Sequence, residues 1–261
     1  MSSGDARRPV ATASVTEPAM SLTVHLFPCL SDNYGFLIRD EATGQVAAVD
    51  TPDGERILSE LERLGWGRLD LILNTHWHPD HTQGNAAIQA ATGCEIMGPE
   101  EVRRAAPLDR VIGDGDLVML GQTRFEVTAT PGHTLGHVVL RSIADNIAFV
   151  GDTLFPLGCG RLFEGTPEQM WDSLQAIVAW PDATVLYGAH EYTAANARFT
   201  LTLDDRPKMA AHAAEIFAMR ERDEPTEPTT LAIEKAFNPF LRAADAADFA
   251  ARRAAKDAFK G

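Results

Sequence analysis

"THWHPDH", Thr75–His81, places three histidines and one aspartate within seven residues, directly after the apolar run "LDLILN". His76 and His78 are two apart, so in an extended segment their side chains share one side and both reach a single metal ion. Pro79 keeps His78 extended and suits the first turn of a helix. Asp80 and His81 are therefore expected to leave the strand, enter a new turn and face elsewhere, which suits a second metal better than crowding the first.

Three more ligand-type residues stand at the ends of other strand-like runs: His133 closes "FEVTATPGH", Asp152 closes "IAFVGD" and His190 closes "TVLYGAH". Side chains at the exits of neighbouring strands converge on one rim of a sheet, with Gly132, Gly151 and Gly188 letting the backbone turn tightly beside them. If Asp152 bridges, one metal takes His76, His78, His133 and Asp152, and the other takes Asp80, His81, His190 and Asp152. Two cations about 3.5 to 4 Å apart would acidify a shared water and polarise a carbonyl, the task of a hydrolase. Five of the seven ligands are histidines from a chain total of eight. Of the other three, His25 falls in an early strand, His212 in a helix, and His137 is expected behind the site or in the core.

The bulk properties narrow the alternatives. A chain of 261 residues is long enough for one large domain, or a main domain with a smaller one. The net charge of -14 argues against nonspecific binding to nucleic acid or an anionic membrane. No apolar stretch approaches the roughly 18 residues of a membrane span, and the first twenty residues lack the apolar middle of a secretory signal. Cys29, Cys94 and Cys159 are odd in number and not spaced as CxxC, so neither a disulfide framework nor a cysteine zinc site is expected. A cytoplasmic monomer fits these features.

Residues 1–20 read as a disordered tail, poor in anything to bury. From Leu22 to about His190, short β-rich runs ("LTVHLF", "YGFLIR", "QVAAVD", "LDLILNT" and five more) alternate with helical stretches such as "DGERILSELERLG". That is a layered α/β pattern. After His190 the sheet signal vanishes, and the chain reads as helices interrupted by the proline-punctuated linker "DEPTEPTTL".

Taken together, "THWHPDH", "TPGHTLGH", "GDTLF" and "GAHEYT" resemble the metallo-β-lactamase superfamily. Within it, "GDTLFPLGCGRLFEGTPEQMWDSL" and the late "NPFLR" and "RRAAKDAF" look like the glyoxalase II, or hydroxyacylglutathione hydrolase, family. The resemblance runs from about Leu22 to the C-terminus. It implies a four-layer αββα sandwich over residues 21–190 and a helical substrate-binding domain over 191–261. It also implies hydrolysis of S-(2-hydroxyacyl)glutathione, typically S-D-lactoylglutathione, at a binuclear centre of zinc, with iron or manganese as alternatives. His76, His78, Asp80 and Asp152 would carry the chemistry, with Asp80 a ligand rather than a free base.

By the same resemblance Arg161, Phe163, Tyr192, Arg253 and Lys256 correspond to glutathione-contacting positions. Glutathione carries two carboxylates, so an acidic chain must present a few local cations. Arg253 and Lys256, three apart, fall on one helical face and suit that task; a solvated basic stripe at a helix C-terminus is the other reading. Phe163 stands where some members have tyrosine, which removes a hydroxyl from the thiol-peptide contact. Cys159 lies beside the site but is expected to be a small buried thiol rather than a nucleophile. The runner-up activity is the iron-dependent persulfide dioxygenase of the same superfamily, which shares the "THxHxDH" and "GCGR" stretches.

Overall fold

The computed structural model describes residues 21–261; the reading of residues 1–20 as a tail lies outside the described residues. Two six-stranded sheets face one another. The first runs β1 (Leu22–Cys29), β2 (Asn33–Asp40), β3 (Val46–Val49), β4 (Leu71–Leu73), β5 (Glu95–Gly98) and β6 (Arg110–Val111) in chain order. Its first three strands are antiparallel, and β3 to β6 are parallel. The second uses β7 (Leu117–Leu120), β8 (Thr123–Ala129), β9 (Val138–Ser142) and β10 (Ile147–Gly151). A small hairpin, β11 (Leu154–Phe155) with β12 (Gly158–Cys159), follows, and then β13 (Val185–Gly188) and β14 (Thr229–Thr230) join the second sheet beside β10.

Alternation of side chains sorts the apolar residues into layers. Phe36, Ile38, Val49 and Leu73 of the first sheet meet Phe125, Val127, Leu140 and Phe149 of the second to fill the space between them. The opposite face of the first sheet, with Leu37, Ala48 and Ile72, is covered by α1 (Gly54–Leu64), which buries Ile57 and Leu61. Asp53 caps α1 by accepting from Arg56 N, and Gly65 ends it in the left-handed region at φ 64°. The short α2 (Pro79–Thr82) and then α3 (Asn85–Thr92) follow β4, and α3 adds Ile88 to the same layer.

The outer face of the second sheet, with Val139, Ala148, Val150 and Leu186, receives α4 (Pro167–Val178) and three of the four later helices. The later helices are α5 (Thr193–Thr200), α6 (Pro207–Glu221), α7 (Leu231–Phe237) and α8 (Ala246–Ala258), of which α6 packs instead through Met209, Ala213 and Ile216 on Leu157 and Ala197. Phe199, Leu231, Phe240 and Phe249 pack into the same apolar layer as Met170, Leu174 and Ile177 of α4. The order of layers is helix, sheet, sheet, helix. This is the αββα sandwich, with additional helices at its C-terminal side. No helix among the described residues is long and apolar enough to cross a membrane.

One part of the sequence reading is corrected. The sheet does not end at His190: Thr229 and Thr230, from the proline-punctuated segment, pair antiparallel with Leu186 and Val185. The reason is that β13 would otherwise expose an edge of unpaired backbone groups, and a two-residue strand, with Leu231 N donating to Thr184 O at 3.0 Å, covers it. No period-2 pattern is long enough in two residues to announce it.

Glu234 of α7 holds this corner together. It is fully buried and accepts from Leu157 N at 2.8 Å, Thr229 Oγ1 at 2.7 Å and Asn238 Nδ2 at 3.0 Å. Burial nonetheless outweighs these bonds and pushes its carboxyl up from 4.5 to about 7. The folded chain therefore keeps a proton that the unfolded chain loses first, so the stability that Glu234 contributes is full below about pH 4.5 and is lost as pH rises through 7. The loss across that window is expected to reach up to about 3 kcal/mol. Urea unfolding at pH 5 and pH 7.5 should show it, and Glu234→Gln should make the slope shallower; an unchanged slope in the variant would assign the effect elsewhere.

Candidate metal centre

The seven ligand-type residues come together where strands from both sheets end, rather than on one rim of a single sheet. His76 and His78 follow β4 of the first sheet, while His133, Asp152 and His190 follow β8, β10 and β13 of the second. Asp80 and His81 lie on α2, which Pro79 opens directly after His78. The turn after β10 requires glycine. Gly151 sits at φ 49°, and a Cβ there would lie 2.7 Å from both His137 Nε2 and Thr75 Oγ1.

Inside the cluster, ring nitrogens face one another with little between them. His76 Nε2 and His133 Nε2 lie 3.1 and 3.0 Å from His78 Nδ1. On the other side, His81 Nε2 is 3.3 Å from His190 Nε2, and Asp80 Oδ2 lies 3.5 and 3.4 Å from those two nitrogens. Asp152 stands between the two groups: Oδ2 is 3.3 Å from His133 Nε2, while Oδ1 is 3.4 Å from His81 Nε2 and 3.3 Å from His190 Nε2. His76 with His78 and His133, His76 with His81 and Asp152, and Asp80 with His81 and His190 each bring their ligand atoms within 4.8 Å of one another.

The far nitrogens are held by oxygen acceptors, which fixes which nitrogen carries the proton. His81 Nδ1 donates to Asp50 Oδ2 at 2.8 Å, and His190 Nδ1 to Asp32 Oδ1 at 2.9 Å. His133 Nδ1 donates to the Arg161 carbonyl at 2.8 Å, and His76 Nδ1 meets Thr75 Oγ1 at 3.1 Å. With one proton held outside, each Nε2 is left as the inward atom that can turn a lone pair to a cation. Asp152 Oδ1 is buried and has no hydrogen-bond partner. A buried carboxylate oxygen without a hydrogen-bond partner, ringed by imidazole nitrogens, is an arrangement that a cation resolves.

The electrostatics divide the cluster. Burial holds His76 well below its usual range, and it lowers His78 and His133 too. For His81 and His190 burial acts the same way and is the largest single effect, but the surrounding carboxylates together outweigh it, Asp152 with Asp50 and Asp80 at His81 and Asp152 with Asp32 at His190, and both are raised, His81 strongly. Burial would raise Asp152, yet His190, His81 and His133 pull it well below the carboxylate range.

A cavity of about 390 Å³ opens beside His133 and Asp152, and Arg161, Phe163, Tyr192, Arg253 and Lys256 all line it. They are not equally free. Phe163 is 61% exposed and meets the rings of His78 and His133 edge-on at 5.5 and 5.2 Å. Tyr192 stacks flat on His190 at 4.7 Å. Arg161 is exposed, with Nε 3.3 Å from Asp257 Oδ1.

Arg253 differs from the open cationic pair read from its spacing. It is buried, donates to the Cys159 carbonyl at 3.0 Å and to Asp257 Oδ1 at 2.8 Å, and lies over the Phe240 ring. Lys256, one turn on, is half-buried at the cavity with Nζ donating to the Ala195 carbonyl at 3.0 Å. Burial lowers its pKa to about 8. Cys159 is buried, and desolvation pushes its thiol up to about 11, which leaves it protonated at neutral pH.

Of the remaining histidines, His137 sits behind the cluster, where Nε2 accepts from Asp152 N at 3.1 Å. His25 pairs with the buried Glu60 at 2.9 Å, and His212 stacks on Phe237. Sequence reading missed Asp32 and Asp50. Asp50 ends the apolar run "QVAAVD" as Asp152 ends "IAFVGD", so that signal was present; Asp32 lies in a turn and carries none.

The family model for the Metallo-beta-lactamase superfamily matches residues 36–190, and that for the Hydroxyacylglutathione hydrolase C-terminus matches residues 191–260. A Hydroxyacylglutathione hydrolase of Erythrobacter litoralis is 51% identical over 251 residues, 91% of this chain and 100% of the relative. The chain belongs to the hydroxyacylglutathione hydrolase family of the metallo-beta-lactamase superfamily. A second family member, from Maricaulis maris, is 53% identical over 228 residues, covering 87% of this chain and 89% of its own. Among solved structures, ETHE1 from Myxococcus xanthus superposes with a TM-score of 0.69 at 27% identity, over 89% of this chain and 90% of that one. The BLEG-1 B3 metallo-beta-lactamase, at 19% identity and a TM-score of 0.66 over 84% of this chain and all of that one, shares the fold.

Proposed function

We propose that the chain hydrolyses S-(2-hydroxyacyl)glutathione thioesters, typically S-D-lactoylglutathione, to glutathione and a 2-hydroxy acid such as D-lactate. One observation carries this reading: a buried, donorless Asp152 oxygen between two imidazole groups opens onto a cavity rimmed by Arg161 and Lys256. Two divalent cations would be held by His76, His78, His133 and Asp152, and by Asp80, His81, His190 and Asp152. Histidine and carboxylate donors suit zinc first, with iron or manganese also compatible. When bound, such a pair acidifies water to near-neutral pKa and polarises a carbonyl.

The chain's own residues supply orientation. Asp50 and Asp32 hold the His81 and His190 rings so that Nε2 points inward. Lys256 and Arg161 offer charge to a carboxylate of the thiol peptide, and the flat ring of Tyr192 gives its backbone a surface. No strong general acid is required at the leaving group, because a thiol of pKa about 8.5 departs as the thiolate.

The test is release of free thiol from S-D-lactoylglutathione by protein carrying two metals per chain; no turnover above background in that state would refute the reading. Oxygen uptake with glutathione persulfide at one iron per chain would instead favour the dioxygenase. Lys256→Ala is expected to raise KM about tenfold with kcat little changed, as loss of an interaction made equally in ground and transition states. Steady-state kinetics check it, and a fall in kcat alone would move Lys256 out of the binding groove.

A further inference from the structure

Glu164 follows Phe163 directly, and its carboxylate ties together three segments distant in sequence. Oε1 accepts from Trp77 Nε1 at 3.1 Å and from Arg104 at 2.9 Å, while Oε2 accepts from Leu135 N at 3.0 Å. The Arg104 guanidinium also lies over the Trp77 ring, 5.5 Å from its centroid. The Phe163 segment is separately clipped to the turn that bears His133: Phe163 N donates to His133 O at 3.2 Å and Gly165 N to Gly132 O at 3.0 Å. Glu164 is thus the link from that segment to Trp77, the residue between His76 and His78.

Two aromatic rings flank His78 as a result, Trp77 at 4.9 Å and Phe163 at 5.5 Å between centroids. Phe163 lines the cavity that also holds Arg161, Tyr192 and Lys256, whereas Trp77 does not. A thioester placed with its peptide in that cavity and its carbonyl at the ligand cluster sends its acyl group out on the other side. On that side Phe163 packs edge-on against His78, and the 53% exposed Leu135 is tied through its backbone N to the Glu164 carboxylate that also holds the Trp77 indole.

Building on the thioester reading, we propose that Trp77, Phe163 and Leu135 receive the acyl group, and that Glu164 is the positioning residue that sets the width of this rim. A change in the width of this rim bears more on a bulky 2-hydroxyacyl group than on lactoyl. A hydrogen-bonded carboxylate that fixes the tilt of an indole acts on the part of the substrate that touches the indole, and less on the shared peptide.

The experiment compares kcat/KM for S-D-lactoylglutathione and S-D-mandeloylglutathione in wild type, Glu164→Ala, Glu164→Gln and Trp77→Phe, with metal content measured for each. Because both substrates are assayed on the same sample, their ratio is independent of the fraction correctly folded. Glu164→Ala is expected to lower the mandeloyl value about tenfold more than the lactoyl value, through KM, with two metals retained. Glu164→Gln, which keeps an acceptor oxygen, should recover most of the ratio, and Trp77→Phe, which removes the indole donor, should shift it the same way as alanine. An unchanged ratio in Glu164→Ala, or in Trp77→Phe where the alanine variant does not fold, would overturn the proposal. Wild-type protein that holds two metals and hydrolyses neither thioester would instead overturn the functional reading beneath it.

Discussion

Replacing Asp152 by alanine is expected to reduce bound metal from two ions per chain to one or none and to lower kcat by about 10³-fold or more. Among the described residues Asp152 is the one carboxylate that reaches both imidazole groups, with Oδ2 toward His133 and Oδ1 toward His81 and His190. On the proposed binuclear reading, its removal would leave each group a ligand short and take away a negative charge that would offset the two cations. The backbone of residue 152 is held by His137 Nε2, so the local chain is not expected to collapse. Elemental analysis with turnover on S-D-lactoylglutathione checks both parts together. A variant that keeps two ions and wild-type kcat would show that Asp152 does not bridge, and circular dichroism guards against reading an unfolded sample as a metal-free one.

The second large effect is on stability. Phe249 of α8 is fully buried, with its ring 5.9 Å from Phe240 and 6.2 Å from Trp171 of α4. Phe249→Ala removes most of an aromatic side chain from the layer that joins the late helices to the second sheet. Substitutions of that kind cost about 3–5 kcal/mol, from lost burial and the cavity left behind. For a domain of this size the melting temperature should fall by roughly 10 °C. Because α8 also carries Arg253 and Lys256, KM for the thioester should rise in the fraction that stays folded. Urea unfolding gives the energy directly, and a loss below about 1 kcal/mol would mean that the pocket closes over the gap.

Both predictions rest on features with different visibility. Five residues of the cluster were legible because they stand at strand exits, with Asp80 and His81 following on α2, and a strand exit is announced locally by an apolar run followed by glycine or proline. The direction change at Pro79 was legible for the same reason, since proline restricts its own φ and its predecessor. Asp32, by contrast, is 158 positions from His190 and meets it through a turn with no pattern of its own. The engagement of Arg253 was equally hidden: spacing along α8 sets its helical face, but not that Cys159 O and Asp257 lie within reach. Short β14 escaped notice because pairing with β13, not its own two residues, makes it a strand.

By itself the sequence determined which side chains are available, the alternation that layers the sheets and the points where the chain must turn, because these follow from bonds and sterics within a few residues. Only the tertiary structure decided that the exits of two sheets meet, which nitrogen of each imidazole faces inward, and which cations remain free for a ligand. Those outcomes depend on contacts between segments far apart in the chain. A residue's own neighbours in sequence carry no record of them.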